Sequence, residues 1–545
     1  MREGLAQLVA QSELSLSFMD SEVFEKFMKE YANPSFKRIP RNTIRSDILK
    51  MFTDMKKDLI TLFANVPLMS ICITADLWSA RNAIGYIVVT SHFIDESWKL
   101  NKRILGFRNC EYPHSGTTIC RFIMTILQEY SIKDRIFSIT LDNASANDTA
   151  ISRFKDFLQL DFTRDSLFHM RCVCHILNLI VKDGMLYISS HIEIIRSAIS
   201  YIIGSNSRQQ EYKEFCKTAQ LKPRNLKTDV ENRWNSTYLM LQNARPYWQV
   251  ICAYINEKTQ SIRIDKSNCD IANIFLDFLK PFYDATNKCS GIYYPTSNII
   301  IPIFIELTCN FAKYRQVQEF SNILHKMETK FKKYWQNIPL IFCYACIMDP
   351  RFKLKGVCLM LNKISTNLCV PSLITSDDVT NGIANLYAFY EIKYSNVSRQ
   401  QPHTESSLTS RGCEGSFSID DIWSELQSDN YSSSSTNELN IYFEARYQIS
   451  RDENFEILNW WKVHSTTYPI LSIMARDLLT SPVSTVASES AFSAGGRVID
   501  ERRGKLAPDF VEALICIKDW KDAKTRDQQR DDEILEEFKQ LEVED

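Results

Sequence analysis

The stretch "FSITLDNASAND", residues 137–148, is an apolar strand that ends in a carboxylate, Asp142, and then runs into Asn, Ser and Asn. A second stretch, "SICITADLWSA", residues 70–80, closes its apolar run in the same way at Asp76. Strands rich in β-branched residues that end in acids point to a sheet carrying a site at one end.

Around these two strands the pattern is that of a layered α/β fold. "SICITAD", "GYIVVTSHFID" and "WKLNKRILGFR" read as three consecutive strands separated by short polar breaks. "SGTTICRFIMTILQEYS" then puts Ile119, Phe122, Ile123, Ile126, Leu127 and Tyr130 on one helical face. The strand "RIFSITLD", the helix "NDTAISRFKDFL" and a strand-to-helix segment, "SLFHMRCVCHILNLIVKDGM", follow. Helix-containing connections of this length permit parallel neighbours, so the sheet is expected to be mixed.

The rest of the chain reads as helical. Residues 1–65 carry apolar residues at three- and four-residue spacing, interrupted by the basic connector "NPSFKRIPRNTIR", which reads as a solvated loop. The sheet core is placed at 66–185, an all-α insertion at 186–395 and a flexible Ser-rich loop at 396–436. An apolar helical region covers 437–522 and a charged tail 523–545. Within 437–522 the spacing predicts a helix around 466–480 and an N-cap near Ser484. A short helix carrying Glu489 is expected to end at Gly495 and Gly496, and a further helix to start near Pro508.

Composition bounds the function. At 545 residues, 45% hydrophobic and 24% charged, the chain is too long for one core, so two or three domains are expected. The net charge of -2 gives no global positive field, so any nucleic acid must be met by local basic patches. The 16 cysteines have no disulfide frame, and the first residues lack a basic flank followed by an apolar block. Reduced thiols in an intracellular protein are expected. No run reaches ~20 apolar residues, so no membrane span is predicted.

Two carboxylates at neighbouring strand ends repel one another unless a cation lies between them. Mg²⁺, or Mn²⁺, suits such hard oxygen ligands, and a two-metal phosphodiester site wants a third acid. Spacing alone does not find it.

The motifs "ITADLWSA", "HFIDESWKLNKRILGF", "ITLDNASANDTAI", "RCVCHILNLIV", "NRWNSTYLML" and "PVSTVASESAFSAGGRVIDERRGKL" together resemble the transposases of the hAT superfamily, in particular its domesticated plant members of the RICESLEEPER and DAYSLEEPER type. The resemblance runs in order over nearly the whole chain. It implies a ribonuclease-H-like mixed sheet core interrupted by a large all-α insertion, with a helical C-terminal dimerisation region. It also implies an Asp, Asp, Glu triad, which falls on Asp76, Asp142 and Glu489 as catalytic and metal-binding residues. The family's Cys-x-x-His motif falls on Cys172 and His175, and its Arg-Trp pair on Arg233 and Trp234.

The DNA contacts implied in this way are Arg233, Trp234, Cys172 and His175, with Arg497, Arg502, Arg503 and Lys505 as a basic group that equally suits a solvated loop. Trp234 suits a base-stacking ring or, nearly as well, a buried anchor at a helix start. Cys172, Cys174 and His175 lack a second Cys/His pair at zinc-finger spacing, so no zinc is expected, and sheet-core packing or support of the site is the favoured role. Full-length members usually begin with a BED zinc finger, whereas the first 70 residues here hold no Cys or His. The expectation is therefore a nuclear, dimerising or higher-oligomeric, DNA-binding protein derived from a transposase and not transposing autonomously. The alternative is an active Mg-dependent transposase that cuts element ends by phosphoryl transfer and leaves hairpins on the flanking DNA. Dimerisation is expected to use the apolar residues Trp460, Trp461, Ile470, Leu471, Leu514 and Ile517.

Overall fold

Five strands form one mixed sheet, and all five fall where the sequence predicts them: β1 (Ile71–Ser79), β2 (Gly85–Ile94), β3 (Leu100–Asn109), β4 (Ile136–Leu141) and β5 (His169–Arg171). The computed structural model describes residues 1–523 apart from 67–68, 80–83, 111–113, 161, 231–232, 337, 372–373, 399–436, 448–454 and 500–505. The strand order is β3-β2-β1-β4-β5. The first three strands pair antiparallel through short links, whereas β1–β4 and β4–β5 pair parallel. Parallel neighbours need long crossovers, and the helices Gly116–Glu129 and Ser145–Leu158 supply them. A helix the sequence reading did not separate, Phe162–Phe168, leads into β5. The architecture is the ribonuclease-H-like mixed core with an all-α insertion that the resemblance implies.

The two faces of the sheet bury different chemistry. On one face Ile73, Ala75, Ile139 and Leu141 pack with Ile119, Ile123 and Ile126 of the crossover helix. The same core takes Ile44 and Ile48 from the helix Arg41–Asn65, and Phe510 and Ile517 from the helix Pro508–Asp522. Residues 1–65 therefore share the core of the sheet. The second large core belongs to the insertion, whose described residues between 186 and 395 are helices and loops without a strand. The expected Ser-rich loop (396–436) and charged tail (523–545) lie almost wholly outside the described residues.

The helix Pro508–Asp522, here called the edge helix, shields the exposed edge of β3. An open strand edge offers unpaired amides to other chains. Asp519 accepts the Ile104 N–H at 2.8 Å, Glu512 accepts the Phe107 N–H at 3.3 Å, and the Trp520 indole donates to the Ile104 carbonyl at 2.8 Å. Asp519 also pairs with Lys102 at 2.7 Å, both side chains being 3% exposed.

Two expectations about the C-terminal region are corrected. The helix carrying Glu489 spans Val486–Val498 and runs through both glycines instead of ending at them. Gly495 serves close approach: a Cβ there would sit 2.8 Å from the Phe107 ring. The apolar residues expected at a dimer interface are mostly spent inside the chain. Trp461, Leu471 and Ile517 are 0% exposed, and Ile470 and Leu514 are 6% exposed, because they complete the two cores.

Removing one partner of a buried ion pair strands the other charge. Asp519→Ala is expected to cost about 3–5 kcal/mol of stability in denaturant unfolding, and Lys102→Met on that background to recover part of it. A loss well under 1 kcal/mol would show that the ammonium escapes to water.

Candidate active site

Register places the first two acids. β1 and β4 pair in parallel with Thr74 opposite Thr140. Two residues beyond these threonines stand Asp76, inside β1 and not at its end as the sequence suggests, and Asp142, just past the end of β4, so the period-two geometry puts both on the threonines' face. Both are half-buried, and the Asp142 carboxylate accepts N–H groups from Ala144 at 3.1 Å and from the Asn147 side chain.

The third acid arrives on the helix Val486–Val498, hereafter the glutamate helix, held to the same face by a seam of small polar groups. Thr74 meets Ser488 at 2.7 Å and Thr90 meets it at 3.5 Å. Ser138 and Cys72 meet Ser481 at 3.0 and 3.4 Å, and Thr140 donates to the Pro482 carbonyl at 2.6 Å. Thr74, Thr90, Ser138, Thr140 and Ser488 are all 0% exposed, so each hydroxyl depends on its partner across the seam. Further along, Trp78 stacks on Phe492 at 5.6 Å between ring centroids. The insertion grips the preceding segment: Thr296 accepts the Val483 N–H at 3.3 Å and the Cys289 carbonyl accepts the Ser484 hydroxyl at 2.9 Å.

Glu489 follows Ser488 and is exposed, its Oε1 receiving the Thr485 hydroxyl at 3.0 Å. Burial, then the Glu489 carboxylate and more weakly Asp142, push the Asp76 carboxyl up to about 8, against a 2.8 Å hydrogen bond from the Leu77 N–H that favours its charged form. The three acids thus share one electrostatic neighbourhood.

Three hard carboxylates whose charges disfavour one another form a donor set that suits Mg²⁺ or Mn²⁺. As the side chains stand, each is turned to a local donor, and among the described residues no group of three His, Cys, Asp or Glu is arranged to hold a metal ion. Metal binding at these acids requires the two aspartate side chains to rotate toward a common centre, while Glu489 has Oε2 to offer with Oε1 kept on Thr485.

The expected DNA contacts separate on burial. Cys172 is 0% exposed and Trp234 is 4% exposed, which corrects their reading as DNA contacts. Trp234 is the first residue of a helix packed into the insertion core, so its ring offers no free face to a base. Cys172 caps the helix Val173–Met185, and burial pushes its thiol up to about 11. His175 is half-buried and Arg233 is exposed. Arg497 is exposed but held by both oxygens of Glu13, at 2.7 and 2.9 Å, so its guanidinium already has a carboxylate partner. Arg502, Arg503 and Lys505 lie outside the described residues.

Sequence reasoning missed Thr485, Ser488 and Asn147. Two of these had a legible signal: Thr485 stands four residues before Glu489, one helical turn, and Asn147 stands where the turn after β4 becomes a helix. Ser488 had none, because a serine in a helix is usually solvated.

A mixed sheet carrying two aspartates on one face, joined across a helical insertion by a helix bearing glutamate, defines a ribonuclease-H-like core of the transposase type. Four family models match in order along the chain: the ZBED1 RNase-like domain over 74–166, the ZBED1 RNase-like helical domain over 170–271, the hAT-like transposase, RNase-H fold, over 299–390, and the hAT family C-terminal dimerisation region over 438–521. The third of these falls entirely within the helical insertion, while β1 to β4 fall in or at the border of the first. The rice protein named "Zinc finger BED domain-containing protein RICESLEEPER 2" is 30% identical over 95% of this chain and 73% of its own. The maize "Putative AC transposase" is 33% identical over 94% of this chain, which spans 64% of the maize protein's length. DAYSLEEPER of Arabidopsis thaliana is 25% identical over 95% of this chain and 73% of its own. The chain belongs to the hAT transposase family.

The Asp76 shift predicts a pH dependence. With a folded value near 8 against an ordinary 3.8, the folded chain binds the proton more tightly than the unfolded chain. The contribution of Asp76 to stability in chelator therefore falls as pH rises from about 4 to about 8 and is level outside that window. Asp76→Asn removes this dependence, so its melting temperature should exceed the parent's at pH 8 and converge with it near pH 4. Parallel curves across that range would refute the shift.

Proposed function

We propose that the chain is a nuclear DNA-binding protein that self-associates through the region 438–521 and cleaves phosphodiesters at Asp76, Asp142 and Glu489. The observation that carries this reading is the shared register of the two aspartates together with the glutamate helix sewn to the same face. The names of the maize and rice relatives, a transposase and a BED-domain protein, agree with action on DNA.

The divalent cation, when bound, offsets charge on the scissile phosphate and makes a coordinated water acidic. Asp76, Asp142 and Glu489 would hold that cation, and the Asp76 carboxyl, which burial and the neighbouring acids bias toward its protonated form, would give up its proton to do so. Asp142 swings from its Asn147 contact, and Glu489, on the exposed side, faces the approaching backbone. Water attacks a phosphodiester of the first strand, leaving a 5′-phosphate and a 3′-hydroxyl; that hydroxyl attacks the opposite strand, closing a hairpin on the flanking DNA and expelling a 3′-hydroxyl on the element side. Arg233, which is exposed, and His175, which is half-buried, are the family-motif residues to which this reading assigns contacts with phosphate oxygens.

A second reading, an inherited scaffold that binds DNA without cutting it, is favoured by one observation: all three carboxylates are engaged by local donors.

A nicking assay on element-end duplexes with Mg²⁺ or Mn²⁺ separates the readings. Cleavage by the parent that falls by about a hundredfold or more in Asp142→Ala, with DNA binding kept, supports the enzyme. DNA binding by the parent with no metal-dependent nicking supports the scaffold. Self-association is checked by light scattering, where twice the chain mass at micromolar concentration is expected and a monomer overturns it.

A further inference from the structure

The path from the second acid to the third runs through one buried sulfur. Leu141, immediately before Asp142, accepts the Cys172 N–H at 2.9 Å. Cys172 Sγ accepts the backbone N–H of His175 and that of Thr485, each at 3.4 Å, and lies 3.5 Å from Thr485 Oγ1. That hydroxyl reaches Glu489 Oε1 at 3.0 Å. Cys172 is 0% and Thr485 is 1% exposed, so water does not compete at the sulfur or at the Thr485 hydroxyl, whereas Glu489 at the end of the path is exposed.

Proton counting gives the chain a direction. Thr485 has one hydroxyl hydrogen and two neighbours able to accept it. An ionised carboxylate is a far better acceptor than sulfur, so the hydrogen goes to Glu489. The 3.5 Å contact in which the same hydroxyl donates to Cys172 Sγ is the weaker branch, and the sulfur also receives the two amides. Cysteine fits this place because its large sulfur spans the long contacts to both amides while its neighbours stay packed.

We propose that Cys172 and Thr485 are positioning residues: the sulfur, accepting from the Thr485 N–H and hydroxyl, holds Thr485 in place, and that hydroxyl fixes the Glu489 carboxylate at the end of the sheet. The proposal rests on the reading of Asp76, Asp142 and Glu489 as a cation-binding, DNA-cleaving site. It gives the cysteine of the Cys-x-x-His motif work to do without contact to metal or DNA. Outer partners that orient ligands contribute about 10–100-fold to metal affinity or activity.

The test uses the full chain and Mn²⁺ as the probe, with free ion followed by electron paramagnetic resonance, beside nicking kinetics. Thr485→Val is expected to weaken Mn²⁺ binding and lower kcat by about tenfold or more, with KM for DNA within about twofold. Thr485→Ser, which keeps the hydroxyl, should restore both, and Cys172→Ser should outperform Cys172→Ala. Circular dichroism melts establish folding, and if Cys172→Ala fails to fold the Thr485 pair still decides. Thr485→Val binding Mn²⁺ like the parent, while Glu489→Gln binds it weakly, sinks the positioning role alone. A parent whose Mn²⁺ binding is absent, or unchanged by Glu489→Gln and Asp142→Ala, removes the site reading beneath it.

Discussion

The structure depends on a polar seam inside the protein. The central strands show the insertion side a row of small polar groups, Cys72, Thr74, Thr90, Ser138 and Thr140, instead of the aliphatic side chains of their other face. An apolar face would accept any greasy helix in several registers, since burial of hydrocarbon is non-directional. Buried hydroxyls accept one arrangement, because each misplaced partner leaves a donor or acceptor unsatisfied at about 1–3 kcal/mol. The seam therefore sets where residues 481–488 lie, and with them the depth at which Glu489 emerges.

Around that seam the remaining elements act as braces. The edge helix closes β3 with carboxylates and an indole, and it stacks Trp520 on Phe52 of the helix Arg41–Asn65 at 5.4 Å, tying the N-terminal helices to the sheet. On the other side, Thr296 and Cys289 of the insertion hold the segment that enters the glutamate helix. The insertion thus adds mechanical support to the acid it separates in sequence from the other two.

Much of the sheet was legible because β-branched runs broken by polar turns leave a period-two trace, and the two aspartates stood where those traces ended. Glu489 was legible only through family resemblance. The insertion erases any spacing signal, and "ASESAF" alone reads as an ordinary solvated helix. Burial was the hard part. Cys172 and Trp234 belong to residue types that serve cores and sites equally, and only the packing around them decides. Gly495 misled for a related reason: glycine in a helix reads as a stop, whereas here its missing side chain admits Phe107. The aromatic and aliphatic residues of 454–520 were read as an interface because apolar density carries no label for what covers it.

The wide separation along the chain between the strands and the glutamate helix has a consequence for biogenesis. A nascent polypeptide forms its hairpin and crossover strands early, yet their hydroxyl-bearing face stays open to water until residues 481–489 have left the ribosome and docked. Loop closure over so long an intervening segment comes late in folding. Unfinished translation products would carry both aspartates but lack the glutamate. The set of three acids therefore exists only once the last of these segments has been made, so the order of synthesis delays its assembly to the end.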